Sequence, residues 1–356
     1  MHEINEGERF WADNERGKLI KQGGNGMREA KYYVKLEEDK VECRLCPHTC
    51  RLGPGRRGIC RVRENREGRL FTRNYGLCSS LALDPIEKKP LYHFYPGHFI
   101  LSAGTVGCNF GCEFCQNWEI AHGEPEVVEI TPGYLVEEAK RLKSVGLAYT
   151  YSEPIVWFEF VLDTARMARE AGLKNVLVTN GFIRPEPLKE LLPVIDALNI
   201  DVKGFSREFY RHIVHGDYQP VLRTAVQAKE AGCHVEITTL LVTGLNDKLD
   251  ELEELVKWIL AELGKDTPLH FSRYFPRYKL KQPPTPLETM QRAWEMACRY
   301  LNYVYLGNVE APQANNTYCP QCGNLVIRRQ GYRVSFPGLV TPGYCRQCGS
   351  QIAIIM

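Results

Sequence analysis

The sequence is short of the features that direct a chain to a membrane, a secretory route or a nucleic acid. Across 356 residues no apolar run approaches the length of a bilayer span. The opening Met1-His2-Glu3-Ile4-Asn5 carries no signal-peptide core. A net charge of +2 leaves no global bias toward polyanions or anionic surfaces. There are no internal repeats or low-complexity tracts. With 44% hydrophobic and 25% charged residues, the expected class is a globular cytoplasmic protein. The length allows one large domain and one or two small ones.

What the sequence has in quantity is cysteine, fourteen in all. Three groups stand out, at 43/46/50/60, 108/112/115 and 319/322/345/348, while Cys78, Cys233 and Cys298 stand apart. Close C-x2-C spacings without a secretion signal read as metal sites rather than disulfides. The chain is organised around Gly107-Cys108-Asn109-Phe110-Gly111-Cys112-Glu113-Phe114-Cys115-Gln116-Asn117-Trp118. Three thiolates at C-x3-C-x2-C spacing can hold three corners of an iron–sulfur cube and leave its fourth iron open to a small molecule. A zinc loop lacking its fourth ligand is the alternative. The spacing, with Phe114 just before the third cysteine, resembles the signature of radical S-adenosylmethionine (SAM) enzymes.

The first group, Cys43, Cys46, Cys50 and Cys60, has C-x2-C-x3-C-x9-C spacing and is turned by Pro47, Gly53, Gly55 and Gly58. Zinc in an all-cysteine site and a second cluster both fit, and the spacing does not choose. His48 inside the group could serve as a spare ligand, but it reads first as a solvent-facing loop residue. Residues 1–30 read as a loose polar arm, and 31–97 as a cysteine-rich N-terminal module. The run from Asp84 to Gly97 is expected to pack that module against the next domain.

From residue 98 to 306 strands alternate with helices, the pattern of a parallel α/β sheet. Strands are read at 99–105, 147–151, 175–179, 197–202, 234–241 and 269–273. Helices are read at 134–145, 156–171, 187–192, 220–231, 249–263 and 287–301. Six units are too few for a closed eight-stranded barrel, so the expected fold is a partial (β/α)6 barrel. Chemistry in such folds gathers at the carboxyl ends of the strands. Those ends carry the cysteine loop, Ser152/Glu153, Asn180, Asp201/Lys203, Thr243/Asn246 and His270/Arg273. Residues 307–356 read as a linker and a zinc ribbon, with Cys319, Cys322, Cys345 and Cys348 in two C-x2-C-G knuckles. So small a segment needs the metal to fold.

For a SAM ligand, Ser152 and Glu153 suit the methionyl ammonium, with Pro154 fixing the turn. Asn180 suits the ribose. Asp201 and Lys203 suit a carboxylate, a ribose or a cation, with Lys203 the natural carboxylate partner. From about residue 99 to 300 the chain resembles the radical SAM activases of glycyl radical enzymes, such as pyruvate formate-lyase activase. The likeness rests on the cysteine loop, Ser152-Glu153-Pro154, Thr179-Asn180-Gly181 and Asp201-Val202-Lys203. Where the activases often carry two glycines before Glu-Pro, this chain has Tyr151-Ser152. Residues 43–118 are more specific. The Cys-x2-Cys-Pro-x2-Cys run, Gly58-Ile59-Cys60, Asp84-Pro85-Ile86-Glu87-Lys88-Lys89-Pro90-Leu91 and Cys115-Gln116-Asn117-Trp118 resemble the radical SAM enzyme of the AmmeMemoRadiSam system.

The resemblance implies a [4Fe-4S] cluster on Cys108, Cys112 and Cys115, SAM on the fourth iron, and Phe114 beside that site. It also implies a 5′-deoxyadenosyl radical that abstracts hydrogen from a substrate. The expected reductant is a ferredoxin or flavodoxin. Three functional readings follow: a radical SAM enzyme with an unidentified substrate, a small molecule or a protein, linked to that system's other members; an activase that installs a glycyl radical on a partner protein; and a metal-binding adaptor with a non-catalytic cluster. No added cobalamin domain supports a methyltransferase.

Overall fold

A computed structural model describes residues 27–340 and 342–356. Most of the arm read at 1–30 lies outside the described residues. At its end, Arg28–Glu29 form a strand antiparallel to Arg69–Thr72. The chain divides into two compact units. One holds the residues up to Asp84 with Phe99–Gly111 and Asn117–Asp196; the other holds Pro85–His98, Cys112–Gln116 and Ala197–Met356.

The first unit begins with small antiparallel sheets. Tyr33–Lys35, Val41–Cys43 and Arg51–Leu52 form one, and Arg28–Glu29, Arg69–Thr72 and Arg63–Arg66 form another. Strands this short bury little apolar surface, and a buried ion pair ties them to the rest of the unit. Arg63 donates through both terminal nitrogens to Glu159, at 2.8 and 2.7 Å, on the helix Phe158–Glu170. Three parallel strands follow, Phe99–Gly104, Gly146–Tyr149 and Lys174–Thr179. The middle strand is buried along its whole length, as expected for a parallel strand covered on both faces. Gly146 admits no side chain, because a Cβ there would lie 2.0 Å from the Lys174 carbonyl oxygen. The helix Pro132–Arg141 starts where Thr131 accepts a hydrogen bond from the Tyr134 amide. It buries Leu135, Val136 and Ala139 along one stripe.

The second unit carries parallel strands at Ala197–Asp201, His234–Leu241, Leu269–Arg273 and Val304–Gly307. Val304–Gly307 lies beyond the six strands read from sequence; four residues are too few to show a period. The helix read to residue 301 ends at Ala297. The segment 307–318, read as a linker, contains a turn of helix at Pro312–Asn315 and a strand at Thr317–Tyr318.

The Pro85–His98 run is built into this second unit around one carboxylate. Glu236 is fully buried and accepts from the amides of Tyr92 and His93 and from Nε2 of His234 and His270. Burial opposes its charge, but the two imidazoles prevail and hold its pKa well below the usual carboxylate range. His93 donates from Nδ1 to the Ala353 carbonyl, and its Nε2 meets the Tyr305 hydroxyl at 2.6 Å. Burial pushes its pKa down to about 3.

A neutral buried His93 makes stability depend on pH. Above about pH 6.5 the imidazole is neutral in both folded and unfolded chains, and its contribution is complete. As the pH falls below that value the unfolded chain takes up a proton that the folded chain refuses. Each such proton costs about 1.4 kcal/mol of stability per pH unit. Urea unfolding from pH 7.5 to 5 is expected to show a steeper loss for the wild type than for His93→Gln. Equal slopes would remove His93 from the account. Among the described residues, no helix is long and apolar enough to cross a membrane.

Candidate functional site

In the first unit the strand Phe99–Gly104 runs into the loop that holds Cys108. Gly107 has φ +91°, and a Cβ there would lie 2.7 Å from the Cys60 carbonyl oxygen, so glycine is required on both counts. The Phe110 amide reaches Cys108 Sγ at 3.4 Å. Asn109 is fully buried and organises the loop, donating from Nδ2 to the Phe182 carbonyl at 2.8 Å. Its Oδ1 accepts from Asn180 Nδ2 at 2.8 Å, and the same Asn180 nitrogen lies 3.7 Å from Cys108 Sγ.

Glu153 spans two strand ends of this unit. It accepts from the Thr179 hydroxyl at 2.6 Å, the Asn180 amide at 2.8 Å and the Ile155 amide at 3.0 Å. Three donors on a carboxylate that is 3% exposed make it a brace for Asn180. Ser152 is different, because its Oγ is buried and finds no hydrogen-bond partner among the described residues. Tyr151 before it has φ +70°, and the Ser152 amide donates back to the Thr150 carbonyl at 2.9 Å. That is a γ-turn with positive φ, a strained conformation for a tyrosine and an easy one for glycine. Tyr151 is held there by its hydroxyl on Asp84 at 2.5 Å and its carbonyl on Asn117 Nδ2 at 2.6 Å.

In the second unit, Cys112 is buried and Cys115 half-buried, and the Cys115 amide donates to the Cys112 carbonyl at 3.2 Å. The Glu113 carbonyl between them accepts from the amides of Lys279 and Leu280. Phe114 is buried and stacks on Phe209, with ring centroids 5.9 Å apart. Lys203 pairs with Asp201 at 2.8 Å. Burial opposes the Lys203 charge, but Asp201 and then Cys112 outweigh it and hold its pKa above the ordinary lysine value. Burial likewise pushes the Cys112 thiol up to about 12, with Lys203 opposing. The backbone of Lys203 is fixed at both ends. Its amide donates to the Tyr210 hydroxyl at 2.9 Å, and its carbonyl accepts from Asn246 Nδ2 at 2.6 Å. Tyr210 opens a π-helical turn, Tyr210–Val214, a local form that recurs at functional sites.

Two strand-end candidates go elsewhere. His270 sits near the start of its strand and bonds Glu236, while Arg273 donates to the Thr285 carbonyl at 2.8 Å. Both are structural groups of the second unit. Asn109 and Tyr210 were missed in the sequence; neither belongs to a spacing pattern, and their importance comes from burial beside the loop.

At the C-terminus the expected four cysteines meet. Their Sγ atoms all lie within 4.8 Å of one another, with Cys319–Cys348 and Cys322–Cys345 each at 3.6 Å. Tetrahedral zinc with Zn–S bonds of about 2.3 Å needs sulfurs about 3.8 Å apart. The two knuckles are built alike, with the Gly323 amide on the Cys319 carbonyl and the Gly349 amide on the Cys345 carbonyl. Val326, Ile327, Leu339 and Ile352 pack there with Tyr303 and Tyr305, so the ribbon shares a core with the strand Val304–Gly307.

The sequence pattern of the Radical SAM superfamily matches residues 103–259. An uncharacterized protein of Methanocaldococcus jannaschii is 46% identical over 336 residues, covering 93% of this chain and 100% of that protein. Pyruvate formate-lyase 1-activating enzyme of Escherichia coli is 30% identical over 177 residues, covering 44% of this chain and 72% of that enzyme.

Proposed function

This chain belongs to the radical SAM superfamily, and on that premise we propose that it binds a [4Fe-4S] cluster through Cys108, Cys112 and Cys115 and cleaves SAM to abstract hydrogen from a substrate. The observation that carries the reading is Ser152 Oγ, buried without a partner at a strand end. A buried hydroxyl left unpaired is an unmet demand that a polar ligand would satisfy. A cluster held by these cysteines would supply the one-electron reduction that cleaves a carbon–sulfur bond of SAM to methionine and a 5′-deoxyadenosyl radical.

The protein's part is to bind, orient and keep water out. Ser152 would take the methionyl ammonium, with Glu153 holding the neighbouring turn and Asn180. Asn180, which already reaches Cys108 Sγ, would offer its amide to the ribose. Lys203, kept cationic by Asp201, would face the ligand carboxylate. Phe114 on Phe209 supports an apolar wall. Cluster binding must also take protons from the thiols, and Lys203 beside Cys112 favours that loss.

A cytoplasmic ferredoxin or flavodoxin is the proposed electron source. The ribbon is proposed to hold zinc in a structural role, supported by its sulfur spacing. A second reading, installation of a glycyl radical on a partner protein, is favoured by the similarity to pyruvate formate-lyase 1-activating enzyme. Proteins of the AmmeMemoRadiSam system are the other candidate partners. The adaptor reading calls for no polar ligand at Ser152.

The test is chromatography of 5′-deoxyadenosine from anaerobically reconstituted, dithionite-reduced protein, alone and with each candidate partner. Product is expected, and Ser152→Ala should weaken SAM binding by about tenfold or more, the value of one hydrogen bond to a charged group. A verified cluster that gives no product under any of these conditions would count against the proposal.

A further inference from the structure

We propose that Cys43, Cys46, Cys50 and Cys60 hold a second iron–sulfur cluster within the first unit. The four side chains line one cavity together with Leu45, Val156 and Arg63. The arrangement of its thiols is the first argument. Two pairs of ribbon sulfurs lie at 3.6 Å and all four within 4.8 Å of one another, a grouping suited to one zinc ion. Among the described residues, the ribbon is the one group of three or more side chains gathered closely enough to hold a single ion, and these four thiols are not gathered in that way. A lone tetrahedral ion would leave such thiolates out of reach. A cube carries each thiolate on a separate iron and holds the four farther apart, around a body that fills the space between them.

The second argument is electrostatic. Arg63 is 1% exposed, and its two terminal nitrogens are committed to Glu159. Its Nε has no partner among the described residues. A buried N–H donor on the wall of a four-cysteine cavity is matched by the negative charge of cluster-bound thiolates. Leu45, Val156 and the packing of Cys60 with Val62 and Val156 give the apolar surroundings that protect a cluster from solvent.

The cavity also adjoins the loop that carries Cys108. His48, between Cys46 and Cys50, contacts the Asn109 carbonyl through Nε2 at 2.7 Å. This corrects the reading of His48 as a solvent-facing loop residue: its ring also packs edge-on against Phe182, 5.0 Å away. The assignment stands on the four thiols themselves and does not depend on what binds at Cys108.

The experiment uses the full chain purified and reconstituted without oxygen, with iron and zinc counted by plasma mass spectrometry. The wild type is expected to carry about eight irons and about one zinc. In the variant with Cys108, Cys112 and Cys115 all changed to alanine, about four irons should remain. After dithionite reduction that variant should show a paramagnetic cluster signal that added SAM leaves unchanged. Cys46→Ala with Cys50→Ala should lose about four irons and keep its zinc. A triple-alanine variant that is folded by circular dichroism but holds no iron, or holds a second zinc, overturns the proposal. If its remaining cluster responds to SAM, the second cluster stands and the SAM site assigned to Cys108, Cys112 and Cys115 fails.

Discussion

Cys112→Ala is expected to yield no detectable 5′-deoxyadenosine and to lose about four irons per chain. Three thiolates are the fewest that hold a cube while leaving one iron open, and this change leaves two. Cys112 is the most enclosed of the three, at 8% exposure, so no solvent-borne thiol easily replaces it. The substitution also takes an anionic partner from Lys203, whose charge Cys112 supports after Asp201. Anaerobic iron and sulfide analysis, with chromatography of the SAM products, reads both effects. A Cys112→Ala protein that retained the full iron complement and made 5′-deoxyadenosine would refute the proposed ligand set.

Glu159→Ala is expected to destabilise the first unit by about 3–5 kcal/mol, the usual cost of removing one partner from a buried ion pair. Both side chains of the pair are 2% exposed, and the contact is bidentate. Without Glu159 the Arg63 guanidinium would stay buried with no carboxylate, beside cysteines 43 and 60. Glu159 also accepts from the Lys31 amide at 3.0 Å, so the same change loosens the edge of the cysteine-rich segment. Denaturant unfolding followed by circular dichroism measures the loss. A change below about 1 kcal/mol would mean that water reaches Arg63 and that the pair behaves like a surface bridge.

The cysteine loops were legible because metal ligation has a local signature: short spacings that let one turn of backbone aim several thiols at one point. The parallel strands were legible because short apolar runs recur between helices, each followed by polar residues. The same logic misplaced His270. It is read at a strand end, yet it lies near the strand's start and is spent on Glu236, a partner that sequence proximity does not suggest. Val304–Gly307 was illegible for a different reason, since its strand character comes from pairing with Leu269–Arg273 rather than from its own four residues.

By itself, then, the sequence determined the candidate ligand groups, the α/β alternation and the residues available at each strand end. Tertiary structure decided how those residues are used. Residues 109, 153 and 180 become one hydrogen-bonded brace, while the hydroxyl of Ser152 next to Glu153 is left without a partner. Arg63 finds Glu159 across 96 residues. The four ribbon sulfurs gather within 4.8 Å of one another, although 22 residues separate Cys322 from Cys345. The physical reason is that spacing along a chain selects which groups can be ligands, whereas packing decides which buried polar groups are satisfied and how far apart the thiols are held.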